Sequence, residues 1–402
     1  MKKAPILFLT VILQEVIFLS SGYTQTNNTD SLKQKGRFNA EFRVDIGNVL
    51  PTNTFVKTQN TDTDGLAHYL GYSVRLARQT TGDKLWEQLY GYPTYGLGLY
   101  SAFFRNTKKL GNPIAIYGFF NAPFFKVNQL SLNYELGLGL TFNWNHLDPV
   151  KNPSNVAISA DKSVYIDAGI SLKYNLTNRF ALNLGYGFTH FSNGRLKMPN
   201  KGLNTGATKI SLSYALSDDP IYFKKDTRPL FSGSYEWIIS AYGGSRNVIY
   251  TGTDVNLATS MKGINYAVYG ISNTLNRQID YKSKIGVGIT MEFNGSQNSQ
   301  IVVEGANLDE AELPFDRHLA VSVYPSYELI INRLSVIIQP GIYLYRMKSS
   351  DMTPAFYQRI GVKYHFLKDS YFGINLRACN FYESDFIEWS IGHRLGWSPH
   401  RL

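Results

Sequence analysis

The sequence predicts an all-β protein: a transmembrane antiparallel β-barrel of about 16 strands (range 12–16) in a bacterial outer membrane. Three observations predict it. Nearly all of the chain reads as short segments in which apolar and polar residues alternate with the period of a strand. Beyond residue 22 no uninterrupted apolar run reaches the ~18 residues that a membrane helix needs. Aromatic residues make up 14% of the chain, and there is one cysteine, Cys379, so no internal disulfide can hold an exported fold together. Closed strand pairing in a bilayer does that instead, because it satisfies every backbone donor and acceptor.

Taken in order, residues 1–22 have the layout of a secretory signal peptide. Lys2 and Lys3 precede an apolar run from Ala4 to Leu19, and Ser20, Ser21 and Gly22 lead to a cut near Tyr23. No cysteine stands there, so a lipoprotein anchor is not expected. Alternation then predicts strands at 37–46, 68–79, 93–104, 113–123, 129–144, 163–176, 179–192 and 206–216. A second set follows at 234–245, 264–276, 281–294, 316–330, 334–347, 354–368, 371–382 and 385–396. In 129–144 the even residues from Leu130 to Trp144 are apolar and the odd ones, including Asn133, Glu135 and Asn143, are polar or small. This is the pattern of a lipid face and a lumen face, with Tyr134 and Trp144 as girdle residues.

The two halves are related. The segment RFALNLGYGFTHFSN from Arg179 aligns with YFGINLRACNFYESD from Tyr371, setting Tyr382 against His190 and Ser384 against Ser192. The organisation expected is a first barrel half over 23–216, a linker or long loop over 217–233 and a second half over 234–402 that repeats the first without its polar motif. One large barrel is preferred because two would need an extra pair of closing seams; the alternative is two tandem eight-stranded barrels.

The motif is Thr189 to Asn204, THFSNGRLKMPNKGLN. His190 and Ser192 keep the parity of Leu182, Leu184, Tyr186 and Phe188, so they belong to the greasy face and not to the lumen. With both termini periplasmic, the seventh strand ends at the outer leaflet, where lipopolysaccharide is. If 193–203 is the loop, Ser192 faces Asn204 across the ladder and His190 lies one pair deeper. The pattern suits a serine esterase: Ser192 as nucleophile, His190 as its base and Asn204 to fix the imidazole tautomer. Asn193 or Asn200, with backbone N–H groups near Gly194, would supply donors for an oxyanion. Arg195, Lys197 and Lys201 would meet the phosphates of an anionic glycolipid, in keeping with the net charge of +10.

Other site classes lack their residues. The sequence has no Gly-rich phosphate loop opening a helix, no paired Cys or His at zinc spacing and no basic helix for nucleic acid. The acidic tract from Glu304 to Asp316 lacks the Asp spacing of a calcium loop and reads as a solvated excursion. No metal or cofactor is expected. The partners expected are lipid A and the outer-membrane bilayer; nothing in the sequence sets an oligomeric state.

His190-Phe-Ser192-Asn193, Leu196-Lys197, Pro199-Asn200, Gly202 and the position of Asn204 resemble the lipid A 3-O-deacylases of the outer membrane, the PagL-type acyloxyacyl hydrolases. The resemblance covers roughly 37–216. It implies an eight-stranded core, no metal, and hydrolysis of an ester-linked acyl chain with Ser192 as nucleophile, His190 as base and Asn200 in the oxyanion hole. Two departures stand out. The family's third member is a Glu where this chain has Asn204, and the second half has no counterpart in the small family barrel. The competing reading is a barrel without enzymatic function, a channel or structural protein, in which the motif only shapes a loop.

Overall fold

The computed structural model describes residues 36–59, 66–148, 150–218, 221–226, 228–248, 264–298, 314–346, 355–379 and 383–397. The expected signal peptide, Tyr382 and most of the acidic tract lie outside these residues. Eight strands form the first half: β1 (Arg37–Leu50), β2 (His68–Gln79), β3 (Thr94–Phe104), β4 (Gly111–Val127), β5 (Leu130–Trp144), β6 (Ser163–Asn175), β7 (Phe180–Ser192) and β8 (Leu203–Ala215). Eight more form the second: β9 (Tyr235–Val248), β10 (Ile264–Gln278), β11 (Ser283–Asn294), β12 (Leu319–Ile331), β13 (Leu334–Tyr345), β14 (Phe356–Tyr364), β15 (Ser370–Cys379) and β16 (Glu383–Trp397). Short helices α1 (Thr54–Gln59) and α2 (Leu85–Leu89) interrupt the first two connections of the first half.

The sixteen strands close as two eight-stranded barrels. The all-β class and the strand number hold, and the tandem arrangement replaces the preferred single barrel. β8 returns to β1 in unbroken register, from Asn39 opposite Ala215 to Leu50 opposite Asn204. β16 returns to β9, from Tyr235 opposite Trp397 to Ser245 opposite Ile387. A seam of this kind is an ordinary antiparallel ladder, so closing twice carries no penalty. An eight-stranded interior is just wide enough for side chains to fill.

The lumenal residues are of that filling kind. In the first barrel Arg43 and Arg75 both reach Glu135, at 2.9 and 2.7 Å, and Lys209 pairs with Asp167. Tyr100, Tyr117 and Tyr165 pack fully buried alongside, with 4.9 Å between the ring centroids of Tyr117 and Tyr165. The second barrel repeats the device with other residues: Arg377 lies between Glu292 and Glu388, Lys363 is 2.9 Å from Glu328, and Lys284 is 2.9 Å from Glu236. Cys379 is buried on the same side. One cavity in the first lumen has about 50 Å³ of room and one in the second about 20 Å³. Each is room for a few waters at most. Outward residues such as Phe42, Ile46, Val74, Leu99, Leu184, Ile271 and Ile391 are exposed, as a lipid-facing belt requires.

One girdle expectation is corrected. Trp144 does not face outward; it is 4% exposed on the lumenal side, donating to Thr141 Oγ1 at 2.7 Å and packing on Phe191. Asn143 adopts a left-handed backbone, φ 67°, which breaks the alternation one residue before the strand ends and leaves Asn143 itself exposed. Trp144 thus joins Phe55, Val56, Leu66, Ile158 and Phe191 in an apolar cluster at the end of the first barrel where β7 meets β8. At the other end the described part of 217–233 runs beneath the β2–β3 connection, with Lys224 N donating to Thr81 O at 2.8 Å.

Glu135 serves two buried guanidinium groups, so its removal strands two charges. Glu135→Ala is expected to destabilise the first barrel by about 3–5 kcal/mol, read as a lower urea midpoint of the refolded protein in lipid vesicles. An unchanged midpoint would mean that the lumenal ion pairs contribute no net stability.

Candidate functional site

β7 and β8 are joined by the polar loop 193–202, and this hairpin carries the motif. His190 stands directly opposite Asn204, and Ser192 lies beyond the last pair, Phe191 with Leu203. The predicted register, with Ser192 facing Asn204, is therefore off by two residues. β8 starts three residues earlier than its apolar pattern indicates, because Leu203 and Asn204 are already in the ladder. A slip of two preserves the face, so the three side chains stay together on the outer wall. Phe191, between them, points into the lumen and packs on Tyr165 and Trp144.

Although His190 and Ser192 have outward parity, the loop folds over them, and Ser192 is only 7% exposed. The β5–β6 connection pins the loop: Lys201 N donates to Val156 O at 2.9 Å, Gly202 N to Ala157 O at 3.0 Å, and Ser159 Oγ to Lys197 O at 2.5 Å. From the other side Asn53 Nδ2 donates to Gly202 O at 2.8 Å. Gly202 has φ 72°, and a β-carbon there would come within 2.8 Å of His190 Cε1, so the ring occupies the space that this glycine leaves.

Ser192 Oγ accepts from Gly194 N at 3.1 Å and lies 2.7 Å from the Asn200 amide. The amide can be set two ways. With nitrogen toward Ser192, its oxygen faces Ala157 O and accepts only from the Asn193 N–H, at 3.5 Å. With oxygen toward Ser192, it accepts the serine hydroxyl and the Asn193 N–H, and its nitrogen donates to Ala157 O at 3.2 Å. The second arrangement gives both ends of the amide a partner. His190 Nδ1 lies 2.5 Å from Asn204 Oδ1, and Asn204 Nδ2 donates to Thr52 Oγ1 at 2.9 Å. In this arrangement Nδ1 carries the ring proton and Nε2 the lone pair. Among the described residues no hydrogen bond joins Ser192 to His190. Two residues apart on one face, their Cα atoms are about 6.8 Å apart, a gap that rotamer changes of both side chains can bridge.

The remaining predicted residues take different places. Asn193 spends its amide protons on Ser159 Oγ and Lys197 O, at 2.9 and 3.0 Å, so it holds the loop's shape. Arg195, left-handed at φ 65°, reaches across to the second barrel, where Nη1 donates to Ser384 O at 3.3 Å. Lys197 and Lys201 are exposed beside the site. Sequence reasoning missed Thr52, Asn53 and Ser159. These sit in connections far along the chain, and nothing in their local pattern tells that they meet the motif. Among the described residues no group of three or more His, Cys, Asp or Glu is placed to hold a metal ion.

Residues 70–214 match the family described as lipid A 3-O-deacylase (PagL), and residues 235–397 match the acyloxyacyl hydrolase C-terminal domain. The second half therefore has a family counterpart after all. No curated protein matches the chain. Among solved structures, the outer membrane enzyme PagL is 17% identical, with 42% of this chain and 97% of that one covered at a TM-score of 0.28. Neisserial surface protein A is 10% identical over 44% and 96%, with a TM-score of 0.29. The Pseudomonas putida toluene transporter TodX is 11% identical over 95% of each chain, with a TM-score of 0.18.

A methyl group at Gly202 has no room beside the imidazole and no comfortable backbone. Gly202→Ala is expected to cost about 1–2 kcal/mol in backbone strain and to push His190 away from Asn204. A structure of the variant in which Nδ1 remains on Asn204 Oδ1 would contradict this.

Proposed function

The chain belongs to the PagL lipid A 3-O-deacylase family of outer-membrane ester hydrolases acting on lipid A, and on that premise we propose that Ser192 and His190 hydrolyse an ester-linked acyl chain of lipid A at the outer leaflet. The observation that carries the proposal is the setting of Ser192 Oγ. It is held by Gly194 N–H and Asn200 one strand pair from an imidazole whose Nδ1 is already engaged by Asn204.

Ser192 Oγ leaves Asn200, gives its proton to His190 Nε2 and attacks the ester carbonyl. The carbonyl electrons move onto oxygen, where Gly194 N–H and the turned Asn200 amide are the donors at hand. Collapse breaks the bond to the sugar oxygen, which takes the proton from Nε2. Water then repeats the sequence on the acyl-enzyme, releasing a fatty acid and restoring Ser192. Asn204 holds the ring in the tautomer that this needs but cannot offset the imidazolium charge as a carboxylate would. Below the site the exposed Phe188, Tyr186 and Leu184 offer an apolar wall for the acyl chain. Lys197 and Lys201 face the phosphates as point charges, while Arg195 is tied to the second barrel. Among the described residues both lumens are packed with paired charges and tyrosines, which favours the esterase reading over a solute channel.

Lipid A mass spectrometry on cells expressing each variant tests this. Ser192→Ala and His190→Ala are expected to leave lipid A fully acylated. Asn204→Glu is expected to speed deacylation roughly tenfold or more, since a carboxylate keeps the same tautomer and stabilises the imidazolium charge that the amide leaves uncompensated. Identical acylation patterns for the wild type, Ser192→Ala and His190→Ala would end the proposal.

A further inference from the structure

We propose that the second barrel is a working part of this site: its outer wall, at Asn247, Leu376 and Ile387, holds Gly194 so that its N–H stays on Ser192. The inference rests on the esterase reading above and adds a role for the half that lacks the motif.

Asn247 lies on the outward side of β9, in the row of Trp237 and Ile239, both of which are exposed. A polar side chain there would face lipid. Instead Asn247 is 2% exposed, because the loop of the first barrel covers it: Oδ1 accepts from Met198 N at 3.2 Å. Its nitrogen is turned the other way, to Asn265 Oδ1 at 2.8 Å. On the neighbouring strands Ile387 and Leu376 are a cross-strand pair of the same outward face. Gly194 rests directly on them: a β-carbon at Gly194 would lie 2.5 Å from Ile387 Cδ1 and 3.7 Å from Leu376 Cδ1. Its φ of 61° belongs to the left-handed region. The Arg195 guanidinium completes the clasp on Ser384 O.

The second barrel thus backs Gly194 itself and grips the loop just after it, at Arg195 and Met198, and the Gly194 N–H is the one on Ser192 Oγ. A donor to a developing oxyanion works only if it is fixed beforehand. On its own barrel the loop is tied at Asn193, Lys197, Lys201 and Gly202. The wall that stops Gly194 from moving outward comes from the other barrel. Asn247, Leu376 and Ile387 are positioning residues that act through a backbone group and do not touch substrate.

The test is steady-state hydrolysis of lipid A by the purified full chain in mixed micelles, with heat-modifiable gel mobility reporting folded barrels. Asn247→Leu and Ile387→Ala are each expected to lower kcat about tenfold, approaching the ~10²-fold loss of an oxyanion donor, with KM changed by less than about twofold. Asn247→Asp keeps the oxygen acceptor for Met198 N–H and is expected to retain kcat within about threefold, as is Asn265→Ala, which leaves that acceptor in place. If Asn247→Leu does not fold, Ile387→Ala and Asn247→Asp still decide. Unimpaired kcat in the wall variants, beside an inactive Ser192→Ala, would overturn this role alone. A Ser192→Ala enzyme that still hydrolyses lipid A would overturn the esterase reading and this role with it.

Discussion

Every peptide group that enters hydrocarbon must find its partner within the protein, and in strands only a sealed ring achieves that. Here the sealing happens twice, at β1 with β8 and at β9 with β16. Each ring is narrow, so its inside must be filled. Lysine, arginine and carboxylate side chains fill it by pairing with one another among tyrosines. Such pairs add little net stability over apolar packing, but they satisfy groups that a small lumen cannot hydrate. The polar motif of His190, Ser192 and Asn204 lies instead on the outer wall and the rim.

At the rim the barrel provides two different supports. The β7–β8 ladder sets His190 against Asn204 and places Ser192 two residues on, a geometry as rigid as the sheet. The loop beyond it has no such rigidity of its own. It is held by side chains from elsewhere: Asn53 and Ser159 in two connections of the first barrel, and Asn247 on β9 of the second. The barrels also meet near their other end, where Tyr90 donates to Ile330 O at 2.7 Å and Lys282 lies over the Tyr90 ring. Contacts at both ends make the second barrel a fixed neighbour of the site.

Much of this was legible in the residues. Strand alternation located all sixteen strands, many to within a residue or two, because a membrane strand must alternate to have one greasy and one lumenal side. The motif was legible for the same reason: His190 and Ser192 keep the greasy parity where polar residues are out of place. The misreadings occurred where a single backbone angle or a short ladder extension decides. Trp144 turned inward because Asn143 is left-handed, and Asn204 moved opposite His190 because three residues with no periodic signal, Leu203 to Thr205, joined β8.

Composition and periodicity by themselves determined the all-β class, the strand number, the wall that carries the motif and the types of residue gathered there. Only the tertiary structure decided that the sheet closes twice, that Asn193 and Arg195 hold the loop while Asn200 meets Ser192, and that the second barrel lends a wall to the first. The reason is physical: alternation is a property of one strand in contact with its two environments, whereas closure and loop support arise between residues as many as about 190 positions apart, and no local pattern encodes which of them meet.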